Sequence, residues 1–216
     1  MTIPDTATLV RRAASLLVSF GFVMFAGAGS AAAAPVEGKD YAAVPLPQPT
    51  PGGKIEVTEF FWYGCPHCFA LEPKLQAWAA RLPKDVQFRR VPAVLAAHWQ
   101  PMAKSFYALE ATGVDLHSKM FNALHVEKIN LNDEQTFLQW AGKQGADSAK
   151  VGEAYRSFGV NSKLQAARQL NVSYGLTSVP SLVVGGKYLT SPSMAGGADQ
   201  MFEVVDYLVE QARKGR

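Results

Sequence analysis

Cysteine is scarce in this chain, two in 216 residues. Two thiols cannot staple a small disulfide-dependent domain, and they cannot build a four-thiolate zinc site. An excess of charge is also missing, with 21 Lys and Arg against 18 Asp and Glu. Without residues 1–33, which hold Arg11, Arg12 and Asp5, the counts are 19 and 17, and Arg213, Lys214 and Arg216 sit at the C-terminal tip. A body so near neutrality has no footprint for phosphate-driven binding, so no nucleic acid partner is expected. There is no internal repeat, no heptad run and no basic amphipathic helix that would argue for a membrane-surface role. What is present is the composition of an ordinary folded chain, 48% hydrophobic and 11% aromatic, enough to bury a real core.

The N-terminus reads as an address. Arg11-Arg12 precede an apolar run from Ala13 to Phe25, followed by Ala26-Gly27-Ala28-Gly29-Ser30 and the tract Ala31 to Ala34. A positive flank, a short apolar stretch and a small-residue exit are the three parts of a secretory signal. A membrane anchor would need roughly 20 apolar residues, more than this run supplies. Ala31-Ala32-Ala33 satisfies the cleavage pattern, and a cut one residue later would meet Pro35. Residues 1–33 are therefore expected to be removed as a signal peptide, by the general route and not the twin-arginine one. The mature chain, 34–216, is expected in an oxidising compartment.

Ile55 to Trp62 is β-branched and aromatic, which predicts an interior strand. From Cys65 the period turns helical through Leu71, Leu75, Trp78 and Leu82 and stops at Pro83. Val86 to Val91 alternates as a second strand. From His98 to Tyr174 the period is almost wholly helical, with breaks expected at Gly113, Asn132-Asp133, Gly145 to Asp147, and Gly159. Ser181–Val184, Gly185-Gly186 and Lys187–Leu189 read as a hairpin with a two-residue turn. Asp199 to Arg213 is a last amphipathic helix, and Pro45, Pro47, Pro49 and Pro51 with Gly52-Gly53 mark an extended arm. The fold class is α/β: one mixed sheet flanked by helices, with an all-helical block, residues 93–175, inserted beside it.

The chemistry lies at Cys65-Pro66-His67-Cys68, after a strand and at a helix start. Two cysteines at this spacing meet the ~4.4–6.8 Å Cα separation of a disulfide. At a helix N-terminus, free N–H groups and the dipole favour a thiolate on Cys65. Pro66 suits the first helical position, and a protonated His67 adds a positive charge. A stabilised thiolate is a good leaving group, so such a disulfide is readily given away. Cys68, one turn inward, would be the resolving thiol. A purely structural disulfide across two residues would remove little entropy from the unfolded chain. A zinc site from both thiols and two of His67, His98, His117 and His125 lacks any H-x₃₋₅-H pair. No metal is expected. His98, His117 and His125 read as ungrouped surface or core histidines, and the Asn171-Val172-Ser173 sequon falls at a helix end and reads as chance.

This motif, after Glu59-Phe60-Phe61 and with Val179-Pro180, a Gly-Gly-Lys-Tyr hairpin and a secretory signal, resembles the DsbA-type periplasmic thiol:disulfide oxidoreductases. The resemblance spans essentially the whole mature chain. It implies a thioredoxin fold with the helical block between the βαβ and ββα halves. That family is itself a standard example of a low-pKa cysteine in an oxidising couple, so this direction belongs to the resemblance. It also implies that Pro180 is a cis proline facing the cysteines and that Val179 offers backbone groups to an extended substrate. By itself Pro180 would read as a turn-breaker. Glu59 could be an exposed strand carboxylate; the resemblance favours a buried one, with a raised pKa, that relays protons to Cys68. Glu72 matches a family acid too, although a solvated helix-face charge fits the sequence equally well.

The implied activity is disulfide donation from Cys65–Cys68 to thiols of newly secreted, unfolded proteins, with reoxidation by a quinone-linked membrane oxidase of the DsbB type. The disulfide is the carrier, no bound cofactor is expected, and a monomer is expected. A disulfide isomerase on the same fold would carry an added N-terminal dimerisation domain, for which the short stretch before Ile55 leaves no room. A non-redox binding module, with incidental cysteines, is the other alternative, and thiol titration separates the two.

Overall fold

The computed structural model describes residues 33–50 and 53–215. The expected signal segment, apart from its last residue, lies outside them. Five strands form one sheet: β1 Ala42–Ala43, β2 Ile55–Phe61, β3 Val86–Pro92, β4 Ser181–Val184 and β5 Tyr188–Thr190, in the order β1-β5-β4-β2-β3. β2 runs parallel to β3 and antiparallel to β4, so the sheet is mixed. Helix α1, Pro66–Ala79, makes the crossover between β2 and β3, and α8, Ala198–Lys214, follows the β4–β5 hairpin and the short α7, Pro192–Ala195. Between β3 and β4 come a 3₁₀ turn, Ala97–Trp99, and five helices: α2 Gln100–Ala111, α3 His117–His125, α4 Glu134–Lys143, α5 Ser148–Arg156 and α6 Phe158–Ser173. The mixed sheet, the βαβ and ββα halves and the intervening helices are as expected.

Alternation along β2 divides its side chains between the two faces. Ile55 and Val57 pack with Leu71, Leu75 and Trp78 of α1 and Met201, Val205 and Leu208 of α8. Phe60, on the other face, packs with Tyr107 of α2, Val160 and Ala167 of α6, and Tyr174. Every residue of β2 is buried, so the strand is a firm anchor for the loop that leaves its C-terminal end. A fully buried Leu such as Leu75 contributes about 1.5–3 kcal/mol relative to exposure. Phe61 at the end of β2 opens a third cluster, with Tyr63, Cys68, Phe121, Phe137 and Trp140, that joins the sheet to α3 and α4.

Four details differ from the sequence expectations. The break expected at Gly159 falls at Ser157, whose side chain caps the N–H of Val160, so Gly159 sits inside α6. The hairpin turn holds Gly185 and Gly186 at φ of 58° and 65°, but Val184 pairs with Tyr188, leaving Lys187 as an extra residue beside the two-residue turn. α1 ends at Ala79, before Pro83, and contains Pro73 in its interior. The arm after Tyr41 contributes β1, which pairs with β5 through Ala42 and Ala43.

Candidate active site

The loop from β2 to α1 sets the geometry. Cys65 is the N-cap of α1 in an extended conformation, with Pro66 in the first turn. Its N–H donates to the carbonyl of Trp62 at 3.0 Å, and its carbonyl accepts from the N–H of Phe69 at 3.1 Å. Both cysteines are free thiols, Cys65 partly exposed and Cys68 buried. Pro66 and His67 are exposed beside them. The peptide bond between Val179 and Pro180 is cis, and the carbonyl oxygen of Val179 accepts from the Cys65 sulfur at 3.6 Å. Residues 114 positions apart in the chain thus meet at the helix start.

The two thiols have opposite electrostatics. Cys65 is lowered from 9.0 to about 6: the Cys68 thiol facing it is the largest cause, with help from the backbone N–H groups of Cys68 and His67 and the His67 charge, against burial. These N–H groups approach the sulfur without forming a cap of good hydrogen-bond geometry. Cys68 moves up strongly, through the same contact with Cys65 and then through burial, and Glu59 adds to the rise. At neutral pH a proton therefore belongs on Cys68 and a charge on Cys65.

Glu59 is 1% exposed and lies in register with Arg90 on the neighbouring strand. Arg90 Nε donates to Glu59 Oε2 at 3.0 Å and its Nη2 donates to Glu72 Oε1 at 2.9 Å. Burial raises Glu59 from 4.5 to about 8, with Arg90 opposing the rise and Glu72 adding to it. The sequence alone left Glu59 open between exposure and burial; it is buried. Glu72 is a correction: the solvated helix-face alternative gives way to a buried carboxylate that also accepts from Gln76 Nε2 at 2.7 Å. Burial works against its charge, yet His117, Arg90 and Gln76 together hold its pKa below 4.5.

The reading of the histidines as ungrouped is corrected as well. His117 Nδ1 lies 2.9 Å from the hydroxyl of Tyr63, and His125 Nε2 lies 2.7 Å from the carbonyl of Tyr63. Both rings therefore fasten the loop that carries Cys65. His98 accepts from Trp99 Nε1 at 2.9 Å, and Trp99 stacks on Trp62 at 4.4 Å between ring centroids. Sequence reasoning passed over Arg90, Tyr63, Trp62 and Trp99. One signal was available for Arg90: a parallel pairing that aligns the two strand starts, Ile55 with Val86, places Arg90 beside Glu59. Asn171 is buried in α6, out of reach of modification in the folded chain.

Among the described residues, the one group with metal-ligating atoms close together is Glu59, Glu72 and His117, whose atoms lie within 4.8 Å of one another. Arg90 already supplies a cation to both of these carboxylates. A cavity of about 430 Å³ borders this cluster, lined by Tyr63, Arg90, Phe106, Leu109, Asp115 and His117.

The DSBA-like thioredoxin domain matches residues 56–209. A thiol:disulfide interchange protein DsbA of Azotobacter vinelandii is 42% identical over 175 residues, 80% of each chain. Its counterpart in Burkholderia cepacia is 38% identical over 204 residues, 92% of this chain and 95% of that one. The crystal structure of Pseudomonas aeruginosa DsbA is 37% identical, with a TM-score of 0.81 over 84% of this chain and 96% of the other. The shared sheet, the Cys-Pro-His-Cys helix start and the length of these matches lead to one conclusion: this chain belongs to the DsbA family of thioredoxin-fold thiol:disulfide oxidoreductases.

Proposed function

We propose that this protein donates its Cys65–Cys68 disulfide to newly secreted proteins in the periplasm. The observation that carries this reading is the contrast between the two sulfurs: a partly exposed Cys65 with its pKa near 6, and a buried Cys68 that holds its proton. A substrate thiolate attacks the Cys65 sulfur, the disulfide bond breaks, and the electron pair goes to Cys68, which takes up a proton. Glu59, buried and with a pKa raised to about 8, supplies that proton. A second substrate thiolate then attacks the substrate sulfur of the mixed disulfide, and Cys65 leaves as its stabilised thiolate. Two substrate thiols are oxidised and one protein disulfide is reduced.

Pro66 sets the helix start, His67 adds charge beside Cys65, and Val179 with Pro180 offers backbone to an extended substrate segment. Residues 1–33 act as the signal peptide, 34–216 as the mature thioredoxin-like domain, and 93–175 as its helical insertion. The couple carries the electrons itself, without a resident cofactor, and a quinone-linked membrane oxidase of the DsbB type restores the disulfide. The working form is a monomer.

The test is oxidation of reduced, unfolded ribonuclease by the oxidised protein. Cys65→Ser should fall to the buffer rate; a Cys65→Ser variant with full activity would end this reading. Titration of the couple against glutathione should give an oxidising equilibrium, and a strongly reducing one would make the protein a reductase.

A further inference from the structure

Two buried carboxylates share one guanidinium here. Arg90 bonds both Glu59 and Glu72, so one full negative charge is matched and a second would be uncompensated between two buried carboxyls. One carboxyl must therefore keep a proton, and the geometry around the pair says which. Glu59 accepts from Arg90. Glu72 accepts from Arg90 and Gln76, and its Oε2 faces His117 Nε2 at 3.4 Å. Neither of these last two atoms has a hydrogen-bond partner, so each is left to the other.

The tautomer of His117 follows from its second nitrogen. Nδ1 lies against the Tyr63 hydroxyl at 2.9 Å. If the hydroxyl donates to Nδ1, the ring proton is on Nε2 and points at the Glu72 carboxylate. The reverse tautomer would set a lone pair against a carboxylate oxygen, which is repulsive. Phe61, Phe106 and Phe121 surround the ring edge-on at 4.9, 6.2 and 5.2 Å, and so fix its plane. The ring is 7% exposed, and burial lowers its pKa despite Glu72, which keeps it a neutral donor.

We propose that His117 is a positioning residue that decides which carboxyl carries the proton: it donates to Glu72, keeping Glu72 charged and leaving the protonated acid at Glu59. This deepens the reading of Glu59 as the proton source for Cys68 and rests on it. The other groups facing the pair are Arg90, Tyr63, Asp115, which accepts from the His117 backbone N–H at 3.1 Å, and Cys68. His117 belongs to α3, so a helix outside the βαβ half sets the charge state of the redox site.

Infrared spectroscopy of the carboxylic-acid C=O stretch, followed with pH, tests this on the whole mature protein. A protonated-carboxyl band should be present at neutral pH, titrate near pH 8 and vanish in Glu59→Gln. In His117→Phe, which keeps the ring but loses both nitrogens, its midpoint should rise by up to about one pH unit, because the doubly charged pair loses a donor that the form protonated on Glu72 does not need. His117→Gln, which keeps a donor, should recover most of that shift. An unmoved midpoint in His117→Phe overturns the proposal. If His117→Phe does not fold, the band alone decides: its loss in Glu72→Gln, with retention in Glu59→Gln, also overturns it. These readouts do not involve substrate oxidation. An active Cys65→Ser would remove the proposed function and leave the infrared result standing, and an unchanged pH profile of disulfide exchange in Glu59→Gln would remove the relay alone.

Discussion

The Cys65 sulfur and the Val179 carbonyl oxygen are in contact at 3.6 Å. A thiol can donate to that oxygen and a thiolate cannot, so ionisation of Cys65 frees the Val179 carbonyl to accept from another N–H. The carbonyl carbon resonance of labelled Val179 should then titrate with a midpoint near pH 6. Cys65→Ser should abolish the titration. A Val179 resonance flat from pH 4 to 8 would show that the contact does not follow the thiol.

Cys68 is buried directly behind Cys65, and its proton is strongly held. Removing it leaves Cys65 able to bond a substrate but removes the internal thiol that could expel that substrate. Offered proteins that already contain disulfides, Cys68→Ser should attack one through the Cys65 thiolate, expel the other sulfur as a thiolate and accumulate mixed disulfides, up to one per chain, visible by non-reducing gel or mass spectrometry. Mixed disulfides that do not accumulate would place the resolving role elsewhere.

Glu59 has a folded-state pKa near 8 against an ordinary value of 4.5, so between these values the folded protein binds more protons than the unfolded chain. Its contribution to stability therefore declines as pH rises through that window and is constant above it. In the oxidised protein, where neither thiol titrates, Glu59→Gln should remove a negative slope of up to about 1.4 kcal/mol per pH unit. Arg90→Met should cost about 3–5 kcal/mol at neutral pH, because it strands a buried carboxylate, and less under acid conditions. Denaturant unfolding at several pH values measures both.

Gly64 lies under the Trp62 ring, and a β-carbon there would overlap it. Trp62 cannot swing freely, since Trp99 stacks on it with the planes 1° apart. Gly64→Ala should cost about 1–3 kcal/mol and shift the Trp62 fluorescence. It should also slow Cys65 alkylation, by displacing the loop two residues from Trp62. Unchanged fluorescence and stability would mean that the ring has room to move.

How far the sequence could be read depended on the range of the interactions involved. β2, the helix start at Pro66 and the Gly185-Gly186 turn follow from local composition, and so did the redox pair. Glu72 did not, because its burial depends on Arg90 in β3 and His117 in α3, and nothing beside it in the chain announces either. β1 is two residues long, too short for alternation to register. At Ser157 a side-chain cap defined the boundary more strongly than the flexible Gly159 two residues later. Glu59 was reached through resemblance, since an acid in an apolar strand is ambiguous until its cross-strand neighbour is known.

β1 has a consequence of its own. The β4–β5 hairpin would otherwise present β5 as an open ladder of donors and acceptors, the kind of edge that recruits any extended chain. Ala42 and Ala43 occupy that ladder opposite Leu189 and Tyr188, and at the far side β3 carries Arg89 and Arg90 before ending at Pro92. Among the described residues the edge on this side is thereby cut to the two residues of β1, while β3 is the edge strand on the other. The two alanines take up the donors and acceptors of Tyr188 and Leu189, so an incoming extended chain would meet a two-residue edge there in place of the hairpin strand.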